Sequence, residues 1–194
     1  MRLRPVSISA PVHVSVDEID SSKPAAGKRH IGGGLETAGQ ASLGLNMLLR
    51  RLVREPAFRQ SRVTLRLPDG TVGTVREHCV LIRSAGREHR DRIRIFWGTI
   101  RYARADDKGG AWLNTGGWGS PALHLTKTML DQLFISKHLT ELEDLHGAAF
   151  IFYGALRMKR MAAEEGDHDV ERFYLFPNDP EWFTVRLDQE DTAR

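Results

Sequence analysis

The stretch that best predicts the fold is Ala111-Trp112-Leu113-Asn114-Thr115-Gly116-Gly117-Trp118-Gly119-Ser120-Pro121, because it joins a strand, a corner and a helix start. Its two adjacent glycines indicate positive φ angles or a close backbone approach that a Cβ would block. Ser120 suits the N-cap of a helix whose first position is Pro121, and the apolar spacing beyond it predicts a helix over 121–137. The corner is either a ligand site at a helix start or a tight turn with the indole in the core.

A long strand is predicted before this stretch. Residues 92–104 are rich in β-branched and aromatic side chains, and 106–110 supply turn chemistry, so a second strand over 111–115 closes a hairpin. Three tryptophans lie in or beside these strands: Trp97, Trp112 and Trp118. Whether each one is exposed depends on the face of the sheet that it takes.

Residues 113–121 resemble a known signature. Leu113-Asn114-Thr115-Gly116-Gly117-Trp118-Gly119-Ser120 is similar to the L-N-[ST]-G-G-W-x-[ST] signature of small uncharacterised proteins of tailed bacteriophages. In that group a strand-rich segment precedes the signature, and a basic, Thr-rich helix start follows it. Residues 94–102 loosely match the preceding segment. Residues 122–125 depart from the group at that helix start, and the similarity covers about 92–137. The resemblance implies a phage origin and no mechanism.

Charge is distributed unevenly along the chain. Residues 50–104 hold fourteen Arg and five acidic residues, whereas 141–194 hold thirteen acidic and six basic residues. Guanidinium groups suit phosphate contacts and stacking on bases, so the basic middle favours nucleic-acid binding. The same pattern is compatible with a high-GC coding sequence, with pairing of the basic middle and the acidic end inside the fold, and with a solvated strand face.

A basic hairpin is the predicted nucleic-acid site. Residues 61–67 alternate apolar and polar, Pro68-Asp69-Gly70 is a turn signal, and 71–83 returns as the partner strand. The polar face of this hairpin, together with the start of the next strand and the glycine corner, supplies the expected nucleic-acid-binding residues Arg62, Arg66, Arg76, Arg83, Arg92, Arg94 and Trp118.

The remaining patterns predict one α+β domain over 1–187. It comprises a largely antiparallel sheet of six to eight strands, with two main helices, over 35–54 and 121–137, packed on it. Further strands are predicted over 5–16, 148–156, 170–176 and 182–187, with 148–156 buried on both faces. We expect a mobile glycine-rich loop over 17–34 and a disordered tail over 188–194.

No catalytic or cofactor motif stands out. The sequence lacks the Walker, G-x-G-x-x-G, G-x-S-x-G and H-E-x-x-H spacings, so we expect no cofactor and no metal site. The run that most resembles a metal-binding cluster is Asp167-His168-Asp169. The single cysteine, Cys79, excludes an intrachain disulfide. With no apolar run long enough for a membrane span and no secretory segment, we expect no membrane contact and a cytoplasmic location, that of the host if the chain is phage-encoded.

These observations favour a phage-type accessory protein that binds nucleic acid through the basic hairpin, with base stacking by an exposed tryptophan. The first alternative is a protein–protein interaction factor, either an inhibitor of a host protein or a virion component, with self-association included. The second is an enzyme whose site assembles at the Gly116-Gly117-Trp118 corner from distant residues.

Overall fold

The computed structural model describes residues 38–117, 119–161 and 170–187, with backbone alone over 38–43 and at 170. Several predictions fall outside these ranges: the strand over 5–16, the loop over 17–34, Trp118, the run 167–169 and the tail over 188–194. Within the described residues no helix is long and apolar enough to cross a membrane.

The described residues form an α+β fold, as predicted, with three helices and eleven strands. The helices are α1 (Ala38–Arg54), α2 (Val75–His78) and α3 (Lys127–Lys137). The strands are β1 (Thr64–Arg66), β2 (Val72–Thr74), β3 (Cys79–Leu81), β4 (Ile93–Thr99), β5 (Tyr102–Ala105), β6 (Ala111–Asn114), β7 (Ala122–Leu125), β8 (Ala149–Ala155), β9 (Arg157–Met161), β10 (Val170–Leu175) and β11 (Phe183–Arg186).

The strands form three sheets, which corrects the prediction of one largely antiparallel sheet. The hairpin β1-β2 stands alone, a four-stranded sheet has the order β11-β8-β4-β3, and a five-stranded sheet has the order β5-β6-β7-β10-β9. The pairs β3–β4 and β7–β10 are parallel, so the two larger sheets are mixed.

The predicted strand over 92–104 breaks at Ile100, where the chain passes from one large sheet to the other. Ile100 donates to Ala148 O and accepts from Gly147 N, both at 2.9 Å, whereas Arg101 N donates to Asn114 O at 2.7 Å. Residues that favour strands continue past Ile100, but the partners of their backbone hydrogen bonds change at this residue. The single predicted strand is therefore β4 and β5.

The four-stranded sheet is the middle layer of the molecule. On one face, Ile95 of β4 and Ile151 of β8 pack against the predicted leucine stripe of α1 and against the β1-β2 hairpin. On the other face, Phe96 and Phe150 pack against the five-stranded sheet and α3. The prediction that 148–156 is buried on both faces is confirmed, because β8 contributes side chains to both apolar clusters.

The glycine corner is the loop of a hairpin and not a helix start. Residues 122–125 pair with β6 as the strand β7, so the predicted helix over 121–137 begins only at Lys127, with Thr126 as its N-cap. The Thr115 hydroxyl donates to the Pro121 carbonyl oxygen at 2.5 Å and holds the two ends of the corner together. Ser120 therefore caps no helix in the described structure.

The predicted partner strand over 71–83 is also interrupted. After β2 the chain forms the single-turn helix α2, because Thr74 and Glu77 make a capping box: Thr74 N donates to Glu77 Oε2 at 2.7 Å, and Glu77 N donates to Thr74 Oγ1 at 3.3 Å. The chain then enters the four-stranded sheet as β3 and bends into a 3-10 turn over Ile82–Ser84.

Candidate nucleic-acid interface

The arginines predicted to form one hairpin surface lie on several different elements. Arg62 and Arg66 extend from the exposed face of the hairpin, whereas Arg76 belongs to α2 and Arg83 to the 3-10 turn after β3. All four are exposed. The hairpin therefore carries two of these arginines, and the predicted four-arginine face of two long strands does not form.

The other two predicted arginines lie at the start of β4. Arg92 is exposed just before the strand, and half-buried Arg94 donates from Nη1 to the Ile93 carbonyl oxygen at 2.9 Å. Arg92 makes no ion pair with another residue of the described ranges, and neither do the four arginines from the predicted hairpin.

The basic middle and the acidic C-terminal region meet at one edge of the five-stranded sheet. Arg87 pairs with Glu171 of β10 at 2.6 Å, and Asp91 pairs with Arg157 of β9 at 2.8 Å. The hydrogen bond from Arg157, with a weaker one from Arg90, lowers the pKa of Asp91. The exposed arginines of the predicted hairpin take no part in these contacts, so the described part of the acidic region does not neutralise them.

The tryptophans differ in accessibility. Trp97 is 7% exposed and packs in the cluster beneath α1, with the Arg59 guanidinium 5.0 Å from its ring centroid, so it cannot stack on a ligand. Trp112 is half-buried on the five-stranded sheet, on the side away from the core. Trp118 lies outside the described residues, so its predicted role stays a prediction.

The side of the five-stranded sheet that faces away from the core collects aromatic and basic side chains. The register of its strands places alternate residues on this side, while Leu113, Leu123 and Leu175 point into the core. We call it the outer face and define it by Tyr102, Arg104, Trp112, Asn114, Ala122, His124, Arg157, Lys159, Met161, Arg172, Tyr174 and Phe176.

Aromatic rings form a continuous cluster at the centre of the outer face. The Trp112 ring centroid lies 4.5 Å from that of His124 and 5.4 Å from that of Tyr174. Phe176 extends the cluster, 6.1 Å from His124 and 6.0 Å from Tyr174. Phe176 is 38% exposed, so one edge of the cluster is open to solvent.

A hydrogen bond to Asp106 fixes His124 within this cluster. Its Nε2 lies 2.7 Å from Asp106 Oδ2, while Asp106 Oδ1 accepts from the backbone N–H groups of Lys108 and Gly110, both at 2.8 Å. The hydrogen bond from His124 is the main reason that the pKa of Asp106 is lowered, and the two backbone donors add to it. The β5–β6 turn therefore holds the imidazole against Trp112.

Basic side chains lie beside the rings, although Asp91 pairs with Arg157 and the Asp106 carboxylate contacts His124. Arg104 lies beside Trp112 on the neighbouring strand, Lys159 and Arg172 are paired across β9 and β10, and Arg157 lies opposite Tyr174. In the strands that the structure describes, no Asp or Glu occupies an outer-face position. Arg104 and Lys159 form no ion pair with another described residue.

The sequence patterns did not predict the outer face, although two of its strands show a recognisable spacing of basic and aromatic residues. The pairs Arg157/Lys159 and Arg172/Tyr174 each have the period of two that places both residues on one face of a strand. They lie in the acidic C-terminal region, where the net charge of the segment conceals them. Their proximity to Trp112 depends on the parallel β7–β10 pair, which no local pattern specifies.

Two observations concern the cysteine and the side chains that could hold a metal. Burial raises the pKa of the Cys79 thiol to about 12, so the thiol stays protonated at neutral pH. Across the parts of the chain that the structure describes, no three His, Cys, Asp or Glu side chains are grouped to hold a metal ion.

Comparison with known proteins gives no family for this chain: no protein-family model matches it, and neither a curated protein nor a solved structure is significantly similar to it.

Proposed function

We propose that this protein binds single-stranded nucleic acid on the outer face of the five-stranded sheet. The observation that carries the proposal is the ring cluster of Trp112, His124, Tyr174 and Phe176, on a face that also carries Arg104 and Lys159. Bases stack on aromatic rings whatever their sequence, and Lys or Arg beside the rings neutralises the phosphates between the bases.

The geometry favours a single strand over a duplex. Bases inside a duplex are stacked on each other and present only their edges, so they have no surface to offer to a flat layer of rings. An unpaired strand can lay successive bases on Trp112 and Phe176 while its phosphates meet Arg104 and Lys159. A duplex would meet only the charged side chains, and its binding would be weaker.

The outer face supports the proposal better than the basic hairpin does, because rings and charges occur together on it. Arg62 and Arg66 lie beside no exposed aromatic cluster among the described ring contacts. The resemblance of residues 113–121 to tailed-phage proteins supports a phage-type accessory role as part of the same proposal. The β6–β7 corner that carries those residues borders the outer face.

The test compares two double variants that remove the same charge. Fluorescence anisotropy with a labelled single-stranded oligonucleotide is measured across a salt series for the wild type, for Arg104→Ser with Lys159→Ser, and for Arg62→Ser with Arg66→Ser. We expect the first pair to weaken binding and to flatten the slope of log affinity against log salt by about 1.4, since each phosphate contact to a single strand contributes about 0.7. The hairpin pair should retain the wild-type slope.

A third variant tests stacking. Phe176→Ala removes an exposed ring without changing charge, and we expect it to cost about 1–3 kcal/mol of binding free energy with the salt slope intact. Loss of binding only in the hairpin pair would move the site to Arg62 and Arg66. If the wild type binds no single strand at low salt, the proposed function is wrong.

A further inference from the structure

A small cavity opens on the outer face beside the glycine corner. It has a volume of about 160 Å³, and its walls come from four strands, β5, β6, β7 and β10, and from the loop between β6 and β7. Pockets for drug-sized ligands run to roughly 300–1,000 Å³, so this one suits a single ring system. Its wall includes the side chains of Tyr102, Asn114, Ala122, Arg172 and Tyr174.

The cavity exists because a small residue lies between larger ones. The strand register places Tyr102 opposite Asn114, Asn114 opposite Ala122, and Ala122 opposite Tyr174, in one row across the sheet. Ala122 is 8% exposed and fills little of the space above it, so the row dips at its centre. The two tyrosines stand on either side of that dip.

Gly117 lines the cavity and adds no side chain to it. A Cβ added at Gly117 would meet nothing within 4 Å, and the φ of this residue does not require glycine. Gly119, by contrast, has φ +96°, which favours glycine. Neither φ nor packing within the described residues therefore requires glycine at position 117.

The side-chain amide of Asn114 in the cavity has no hydrogen-bond partner among the described residues. This side chain lines the cavity and is half-buried. A half-buried amide loses part of its contact with water, so a ligand that pairs with both its oxygen and its nitrogen is favoured. Arg172 adds positive charge at the same cavity.

We propose that this cavity is a pocket for one adenine base of the bound strand, an inference that rests on the proposed function. The Asn114 amide nitrogen donates to a ring nitrogen of adenine, and its oxygen accepts from the exocyclic amino group, the pairing by which Asn recognises adenine. Adenine presents this donor–acceptor pair on two of its edges, so it can meet Asn114 in two orientations. Its ring system lies over Ala122 between Tyr102 and Tyr174.

The experiment uses oligothymidine strands of one length that carry a single central adenine, cytosine or guanine. Competition against a labelled oligothymidine gives the affinity of each strand for the full-length protein. We expect the adenine strand to bind roughly fivefold to a hundredfold tighter than oligothymidine, the range for one good bidentate contact. Asn114→Ala should bring the adenine strand and oligothymidine to equal affinity, and the readout is the ratio of these two affinities within the same variant.

Asn178→Ala is the matched control, since it removes an exposed amide outside the cavity and should keep the adenine preference. Ala122→Leu, which fills the dip, should also abolish the preference, and far-UV circular dichroism shows whether the variant is folded. Three results would contradict the adenine pocket and leave the proposed function standing. They are equal affinity for all strands, a preference for another base, and an adenine preference that survives Asn114→Ala. Failure of every strand to bind overturns both.

Discussion

At the scale of single residues, Gly98 shows how closely β4 packs against the turn at Ile82. Gly98 is buried in β4, and a Cβ built on it would lie 2.4 Å from Ile82 Cγ2 and 3.4 Å from Phe150 Cε1. Ile82 is itself fully buried, so it has little room to move away. We expect Gly98→Ala to lower the free energy of unfolding by about 1–3 kcal/mol, the usual cost of overpacking a core. Urea denaturation measures the change.

Gly117→Ala is the control for this substitution. It makes the same chemical change at a position where the Cβ has free space and φ does not require glycine. Its free energy of unfolding should equal that of the wild type or exceed it by up to about 1 kcal/mol, because alanine restricts the unfolded chain. A stable Gly98→Ala protein would mean that β4 and the turn at Ile82 are less tightly packed than the structure shows.

At the scale of elements, His78 makes the short helix α2 sensitive to pH. Its ring packs so closely on Gly73 that a Cβ there would lie 2.3 Å from Nε2. Burial lowers the pKa of His78, and the charge of Arg94 lowers it further, against the smaller opposing effects of Glu77 and Asp69. The folded state therefore favours the neutral imidazole.

The sign of the pH dependence follows from this lowered pKa. The unfolded chain takes up a proton at the ordinary histidine pKa of about 6.5, and the folded chain does so only at lower pH, so stability is full above about 6.5 and falls as pH decreases below it. We expect the urea midpoint of the wild type to fall between about pH 7 and pH 5, and that of His78→Gln to fall less. His146→Gln, at an exposed histidine, should keep the wild-type dependence.

The sequence predicts the elements that are specified by neighbouring residues. It does not predict the features that depend on hydrogen bonds to residues far along the chain. The buried leucines of α1 and the alternation of Leu65 and Leu67 repeat with the period of their own element, so the sequence predicts them. Thr74 and Glu77 have the spacing of a capping box, which is a local signal for the helix start that interrupts the predicted strand. The break at Ile100 has no such signal, because it depends on hydrogen bonds to residues near 148.

At the scale of the whole molecule, the candidate interface depends on the order of strands. The sequence predicts the hairpin that carries Trp112 and, separately, a strand that carries Tyr174. It does not predict that β7 and β10 pair in parallel and bring the two rings to 5.4 Å. Because parallel pairs join distant segments, the site combines residues from the basic middle with residues from the acidic end, which average charges hide.

The middle position of the four-stranded sheet leads to a prediction about cooperativity. Alternate residues of β4 and β8 belong to the two apolar clusters, so neither cluster can lose its packing without exposing the sheet that supports the other. We expect Leu49→Ala, in the cluster beneath α1, and Leu123→Ala, in the cluster between the sheets, each to cost about 2–5 kcal/mol of unfolding free energy. Both leucines have no exposed surface, so the pair is matched.

Both variants should unfold in one transition, with far-UV circular dichroism and tryptophan fluorescence giving the same urea midpoint. Trp97 reports on the cluster beneath α1, and Trp112 on the five-stranded sheet. Two separated transitions in Leu49→Ala, with the first seen mainly by Trp97, would show that the layer around α1 unfolds on its own. The outer face would then belong to an independent unit of the two large sheets, and nucleic-acid binding should survive the first transition.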